Sequence, residues 1–297
     1  MESIRKPFWI RSRVSASKPY QQVSQILKKQ NLHTVCEEAM CPNKCSCWEK
    51  KDVTFLIMGT RCTRNCRFCN VEEGPAPEIL DESEPEKIAK ALKALATDYA
   101  VITSVTRDDL ADSGCSHFVQ TTRMIKKSCG VPVELLIPDF QAKEPLLKAV
   151  MDAGPSVIGH NIETVERLYP SIRPASSYKK TLDVLRCLRR SAGGIPVKSA
   201  LMVGLGESKQ EIIETAQKAR EAGVDIFYIG QYLQPSRKHV PVDRYYAPEE
   251  FQELSSALKD MDFSVVLAGP FIRSSYQAKE SFLKYLHGRR ELCLPLP

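Results

Sequence analysis

Seven of the chain's 11 cysteines fall between Cys36 and Cys69, in a sequence of 297 residues. Disulfide staples are the device of small secreted domains whose cores cannot hold a fold alone. This chain is long enough to bury a core, with 43% hydrophobic residues. Its first residues show no apolar signal-peptide stretch, and an odd number of cysteines cannot all pair internally. Reduced thiols that bind metal are therefore the expected use.

Two triplets stand out: Cys36, Cys41 and Cys47 form C-x4-C-x5-C, and Cys62, Cys66 and Cys69 form C-x3-C-x2-C. Structural zinc takes four ligands, from paired CxxC units or from Cys mixed with His. With Cys45 set aside, neither triplet has a fourth such ligand nearby, and His33 is the only histidine in the first 100 residues. Three thiolates suit a cubane iron–sulfur cluster with one iron left open, since each thiolate binds one iron corner. The second triplet follows a predicted buried strand, Thr54–Gly59, with Phe68 just before its last cysteine. This resembles the cysteine signature of the radical S-adenosylmethionine superfamily. A ferredoxin-like or zinc insertion is the plainer alternative. Cys45 is read as a bystander inside the first triplet. Cys115, Cys129, Cys187 and Cys293 are isolated and expected to serve as small packing or surface residues.

Beyond Cys69, apolar β-rich runs alternate with amphipathic stretches. Predicted strands are 100–105, 133–137, 156–160, 197–203, 226–230 and 264–268; predicted helices are 85–97, 117–128, 143–153, 177–191, 208–222 and 248–261. Such alternation indicates parallel βαβ units. With the strand before Cys62 there are six units and a final strand, so the expected fold is α/β, a partial (β/α)6 TIM-type barrel with N-terminal and C-terminal extensions. Its site belongs at the C-terminal ends of the strands. The expected divisions are 1–53, carrying the first triplet; 54–262, the barrel; and 263–297, a C-terminal segment. One helical piece, 20–30, precedes the first triplet. No run of about 18 apolar residues exists, so no membrane-spanning helix is expected.

Residues 1–35 hold seven Lys/Arg and one acid, Glu2, and so carry the whole net charge of +6. A cleavable transit segment, a basic docking surface for an acidic partner, or a solvated face would each account for this.

With both triplets in view, the sequence resembles the lipoyl synthase family over nearly its full length. The matching elements include Lys6-Pro7-x-Trp9, His33-x-Val35-Cys36-Glu37-Glu38-Ala39-x-Cys41-Pro42-Asn43 and Cys47-Trp48. They continue with Arg107-Asp108-Asp109-Leu110, Pro138-Asp139-Phe140, His160-Asn161-x-Glu163, Gly204-Leu205-Gly206-Glu207 and Arg273-Ser274-Ser275-Tyr276. Pairing the first triplet with the Arg-Ser-Ser-Tyr element is more specific than the radical triplet alone. Cys45 and Ser46 depart from the family pattern, as does Thr106, which stands where an acid is common.

The resemblance implies a sulfurtransferase with two 4Fe–4S clusters and S-adenosylmethionine. One cluster would lie on Cys62, Cys66 and Cys69. The auxiliary one would lie on Cys36, Cys41 and Cys47, with Ser275 as fourth ligand, and would donate sulfur to carbons 6 and 8 of a protein-bound octanoyl chain. Thr103, Ser104, Asn161, Glu163 and Arg173 are the expected S-adenosylmethionine contacts. Implied partners are octanoylated lipoyl-carrier domains (the 2-oxoacid dehydrogenase E2 component and the glycine cleavage H protein), an electron donor such as ferredoxin or flavodoxin, and an iron–sulfur assembly or carrier protein. No nucleic-acid partner and no membrane association are expected. Because the family pattern already begins at Lys6, a transit segment is disfavoured and a cytoplasmic location expected. Another radical enzyme inserting sulfur into a small molecule, or a non-enzymatic iron–sulfur carrier, are the alternatives.

Overall fold

The computed structural model describes residues 5–11, 14, 17–75 and 79–292; Glu2, Arg13 and Cys293 lie outside the described residues. Seven parallel strands run in sequence order: β1 (Thr54–Ile57), β2 (Ala100–Ser104), β3 (Val133–Leu136), β4 (Val157–Gly159), β5 (Val197–Val203), β6 (Ile226–Gln231) and β7 (Val265–Gly269). Each pairs with the next, from Thr54 opposite Val101 to Gly230 opposite Gly269. No pairing joins β7 to β1 among the described residues, so the curved sheet stays open on one side. The expected partial barrel of six βα units and a final strand is what forms.

The helices are α1 (Lys18–Gln30), α2 (Glu84–Leu95), α3 (Cys115–Cys129), α4 (Glu144–Asp152), α5 (Tyr178–Ser191), α6 (Lys209–Glu221), α7 (Pro248–Ala257) and α8 (Ala278–Leu292). Local chemistry starts several of them. Proline stands in the first turn of α2, α4 and α7, where its missing N–H costs nothing. Ser208 and Glu211 exchange hydrogen bonds as a capping box before α6. Helices α2 to α6 pack on one sheet face, burying Ile88, Phe118, Leu147, Leu185 and Ile212 against Phe55, Ile102, Leu135, Leu201 and Phe227.

The other face is where the structure adds to the sequence reading. Helix α8, unforeseen from the sequence pattern, lays Ala278, Phe282 and Tyr285 against Val101, Val157, Ala200 and Tyr228. A buried polar network joins them: Lys198 meets Glu134 at 2.7 Å, Tyr99 donates to Glu134 at 2.9 Å, and Tyr228 bonds Ser281 at 2.5 Å. Residues 1–53 also hold more structure than one helix. His33–Thr34 pairs antiparallel with β1, and short helices Val35–Glu38 and Lys44–Glu49 carry the first cysteine triplet. No helix among the described residues is long and apolar enough to cross a membrane.

Candidate functional site

The second triplet sits on the loop leaving β1, and the chain turns sharply to form it. Met58 and Gly59 both take positive φ, 70° and 89°, a costly conformation for methionine. Three neighbours hold it. Glu84 Oε2 accepts from Met58 N at 3.0 Å and meets His117 Nε2 at 2.7 Å, while Arg107 Nη1 donates to Met58 O at 3.3 Å. Gly114 supplies the remaining space, since a Cβ there would lie 2.3 Å from Met58 Sδ.

Within the loop, Arg64 is clamped between two acids. It forms a bidentate pair with Asp139 (2.7 and 2.8 Å) and a second with Asp108 (2.7 and 2.9 Å). Burial lowers the Arg64 pKa, but these contacts outweigh it and raise it. The loop is also tied at Arg67, whose N–H reaches Ile172 O and whose carbonyl accepts from Val240 N. His239 bonds Cys69 O at 2.9 Å, and Asn70 donates to Glu38 O at 2.8 Å, joining the segments of the two triplets.

Facing this loop are the ends of β2 and β4. Arg173 lies against Cys66 and donates to Asn161 O (3.2 Å) and Tyr169 OH (2.6 Å). Asn161 donates to Glu163 Oε1 at 2.9 Å. Burial pushes the Glu163 carboxyl up, against the pull of Arg173. Burial also drives the Cys69 thiol up to about 12. Of the expected contacts, the structure brings Asn161, Glu163 and Arg173 together beside Cys66. Thr103 differs: its hydroxyl donates to Leu136 O at 3.0 Å and serves the strand. Ser104 Oγ, by contrast, is buried without a partner. His160, of the His160-Asn161-x-Glu163 element, belongs here too. Its Nδ1 donates to Ile137 O at 2.9 Å, which leaves Nε2 an unpaired acceptor. Burial, with Arg173 nearby, holds this imidazole neutral down to about pH 4.

The first triplet forms a separate recess at the start of β1 and β2. Cys36, Cys41 and Cys47 line it with Asp52, Arg273 and Ser275, the last two more than 220 residues away along the chain. Cys45 is not among the described residues lining it. Burial raises the Cys36 thiol to about 11, and raises Cys47 to about 12 with Cys36 and Cys41 crowding it. Asn43 Nδ2 donates to Phe271 O at 2.6 Å, tethering the cysteine segment to the Arg-Ser-Ser-Tyr turn.

Among the described residues no three Cys, His, Asp or Glu side chains gather closely enough for one bare ion, so the fit to polynuclear clusters rests on the surrounding groups. At the recess, Arg273 bonds only the carbonyls of Pro270 and Ile272, and no described carboxylate pairs with it. A half-buried cation beside three thiols suits a group that turns those thiols into thiolates. At the radical loop, the unpaired Ser104 Oγ, His160 Nε2, Asn161 Oδ1 and Arg173 Nε suit a polar ligand that satisfies them. Gly204 and Gly206 do not have this character. Gly204 makes room for Gln231 and the Arg244 carbonyl, and both backbone N–H groups of Gly204 and Leu205 are taken by Glu207.

Known proteins resemble this chain. The radical SAM superfamily model matches residues 56–219, and the N-terminal domain of lipoyl synthase matches residues 1–41. Lipoyl synthase of Caldicellulosiruptor bescii is 48% identical, covering 95% of this chain and 97% of its own. That of Methanocella arvoryzae is 47% identical, covering 96% and 97%. Among solved structures, methylornithine synthase has a TM-score of 0.52 at 15% identity, covering 86% of this chain and 79% of that one. Streptococcus suis SuiB, solved with S-adenosylmethionine, has a TM-score of 0.55 at 10% identity, covering 86% and 57%. These distant structures share the fold; the close relatives carry the assignment. The chain is an enzyme of the lipoyl synthase family, within the radical S-adenosylmethionine superfamily.

Proposed function

We propose that this enzyme builds the lipoyl group in place, inserting sulfur at carbons 6 and 8 of an octanoyl chain amide-linked to a carrier-protein lysine. The observation that carries this reading is the recess in which Ser275 joins Cys36, Cys41 and Cys47. A radical enzyme needs one three-thiol site to make its radical; a second, lined also by a hydroxyl, suits a cluster that is given up as a sulfur donor.

Cys62, Cys66 and Cys69 would hold the cluster that, with S-adenosylmethionine and one electron, supplies a deoxyadenosyl radical for hydrogen abstraction. The residues around it bind and orient. Arg173 offers a guanidinium to a carboxylate, Ser104 and Asn161 offer unpaired oxygens, and neutral His160 offers an acceptor nitrogen. Glu163, steered by Asn161, would accept from the ribose hydroxyls. Helix α8 and the Lys198–Glu134 pair fill the inner face of the sheet, which would keep water from a chain reacting beside it.

The auxiliary cluster is consumed as a sulfur substrate. Cys36, Cys41 and Cys47 bind it firmly, and Ser275 supplies a harder, weaker ligand that leaves as the cluster is dismantled. In this reading the extension 1–53 and the segment 263–297 build the sulfur store, against a radical-generating barrel at 54–262. Required partners are an octanoylated lipoyl-carrier domain of the 2-oxoacid dehydrogenase E2 or glycine cleavage H protein type, a one-electron donor such as ferredoxin or flavodoxin, and a protein that rebuilds the cluster. The cytoplasm, which keeps thiols reduced, suits this chemistry.

After anaerobic reconstitution the chain should hold about eight irons, four per cubane, and cleave S-adenosylmethionine to methionine and deoxyadenosine when reduced. Intact S-adenosylmethionine after reduction would sink the reading.

A further inference from the structure

The turn that delivers Ser275 rests on a glycine in the sheet. Gly230 lies on β6, opposite Gly269 of β7, with its missing side chain facing the turn that follows β7. A Cβ on Gly230 would stand 2.0 Å from the Ile272 carbonyl oxygen and 3.3 Å from Arg273 Nη1. Real atoms never approach so closely, and the obstacle is backbone rather than the tip of a flexible side chain. Gly230 is extended and has no positive φ to demand a glycine. Close approach is the reason for its bareness.

The turn is fixed on its other sides as well. Ile272 N donates to Gly269 O at 3.1 Å and Tyr276 N to Arg273 O at 2.9 Å. Asn43 Nδ2 takes the Phe271 carbonyl at 2.6 Å, and Arg273 Nη1 takes the Ile272 carbonyl at 2.7 Å. Ser275 follows three residues after the carbonyl seated on Gly230. An added methyl would lift that carbonyl off β6 and carry the Ser275 hydroxyl away from the three thiols.

We propose that Gly230 is a positioning residue for the auxiliary site: its bare face seats the Ile272 carbonyl, and Asn43 pins the adjoining carbonyl, so that Ser275 falls beside Cys36, Cys41 and Cys47. The inference rests on reading Ser275 as the fourth ligand.

The test compares reconstituted wild type with Gly230→Ala, Gly269→Ala and Ser275→Ala. It reads the Mössbauer component of an oxygen-ligated iron together with S-adenosylmethionine cleavage. Gly230→Ala should lose the oxygen-ligated component while cleaving S-adenosylmethionine as wild type does. Gly269→Ala should retain both, because its Cβ would meet only the Ile272 side chain, at 3.3 Å. An unaltered component in Gly230→Ala, with loss in Ser275→Ala, overturns the positioning role alone. Retention in Ser275→Ala shows instead that the ligand reading itself has failed. If Gly230→Ala loses S-adenosylmethionine cleavage too, its barrel has not folded and Asn43→Asp decides. A carboxylate there cannot donate to Phe271 O, so the component should vanish, and its persistence overturns the proposal.

Discussion

A hydroxyl set among three thiols gives the auxiliary recess its chemistry. Thiolate binds iron more tightly than alkoxide does, so on the proposed reading the serine corner would be where a cluster is released first. Ser275→Cys should therefore bind the auxiliary cluster at least as well as wild type, by iron content, and yet yield little or no lipoyl product. Undiminished product from that variant would refute ligand lability. The grouping of the cysteines into two triplets was legible in the sequence because sulfur spacing within a short stretch survives folding unchanged. Ser275 was reachable only by resemblance, since a serine in a Ser-Ser pair is otherwise a turn residue. Arg273, His160 and Gly230 were not legible in these roles. Each acts through neighbours distant in the chain: Arg273 through Cys41, His160 through Ile137 and Arg173, Gly230 through Ile272. Nor could the sequence tell Ser104 from Thr103, whose hydroxyl is spent on the neighbouring strand.

The loop after β1 is held by what adjacent elements lend it. Asp108, beyond β2, and Asp139, beyond β3, converge on Arg64 and so bind three strand ends together. Burial pushes the Asp139 carboxyl up, but its bonds and charge contact with Arg64 prevail and hold it near about 2, below its ordinary 3.8. A depressed carboxyl contributes stability above its unfolded pKa and loses it as pH falls through its folded one. The contribution of Asp139 is thus full above about pH 4, worth roughly 2 kcal/mol, and fades toward about pH 2. Urea unfolding of the apo chain should show wild type more stable than Asp139→Asn near neutrality, with the two converging over that acid window. A gap that stays constant would contradict the clamp. Long helices and strands were readable from period alone, as with α5 and β5. The helices Val35–Glu38 and Lys44–Glu49 were not, being shorter than a helix that stands without tertiary support. Helix α8 is not legible in the sequence because its partners are the inner residues of the sheet, which no local pattern announces.

Across the whole molecule, an open barrel is filled from both ends of the chain. The extension pairs its own short strand with β1, the C-terminal turn and α8 cover the inner face, and the auxiliary recess forms where the two meet. The first 35 residues of that extension carry a charge of +6, with Arg5, Lys6 and Arg11 exposed. Opposite charge on a carrier domain would speed encounter in a salt-dependent way. Neutralising Arg5, Lys6, Arg11 and Arg13 should slow lipoylation of an intact acidic carrier at low salt, and leave a short octanoyl-lysine peptide unaffected. Equal rates on intact carrier before and after neutralisation would reject the docking role.

The central claim is sulfur insertion into a preformed octanoyl chain, and one anaerobic reaction tests it. Reconstituted enzyme, reductant, S-adenosylmethionine and an octanoyl-lysine peptide are combined, and the peptide is weighed. The account predicts a peptide that has gained two sulfurs, with its hydrogens unchanged as the dithiol in the reducing mixture and two fewer once oxidised to the dithiolane. An octanoyl peptide recovered unchanged while S-adenosylmethionine is consumed would contradict it.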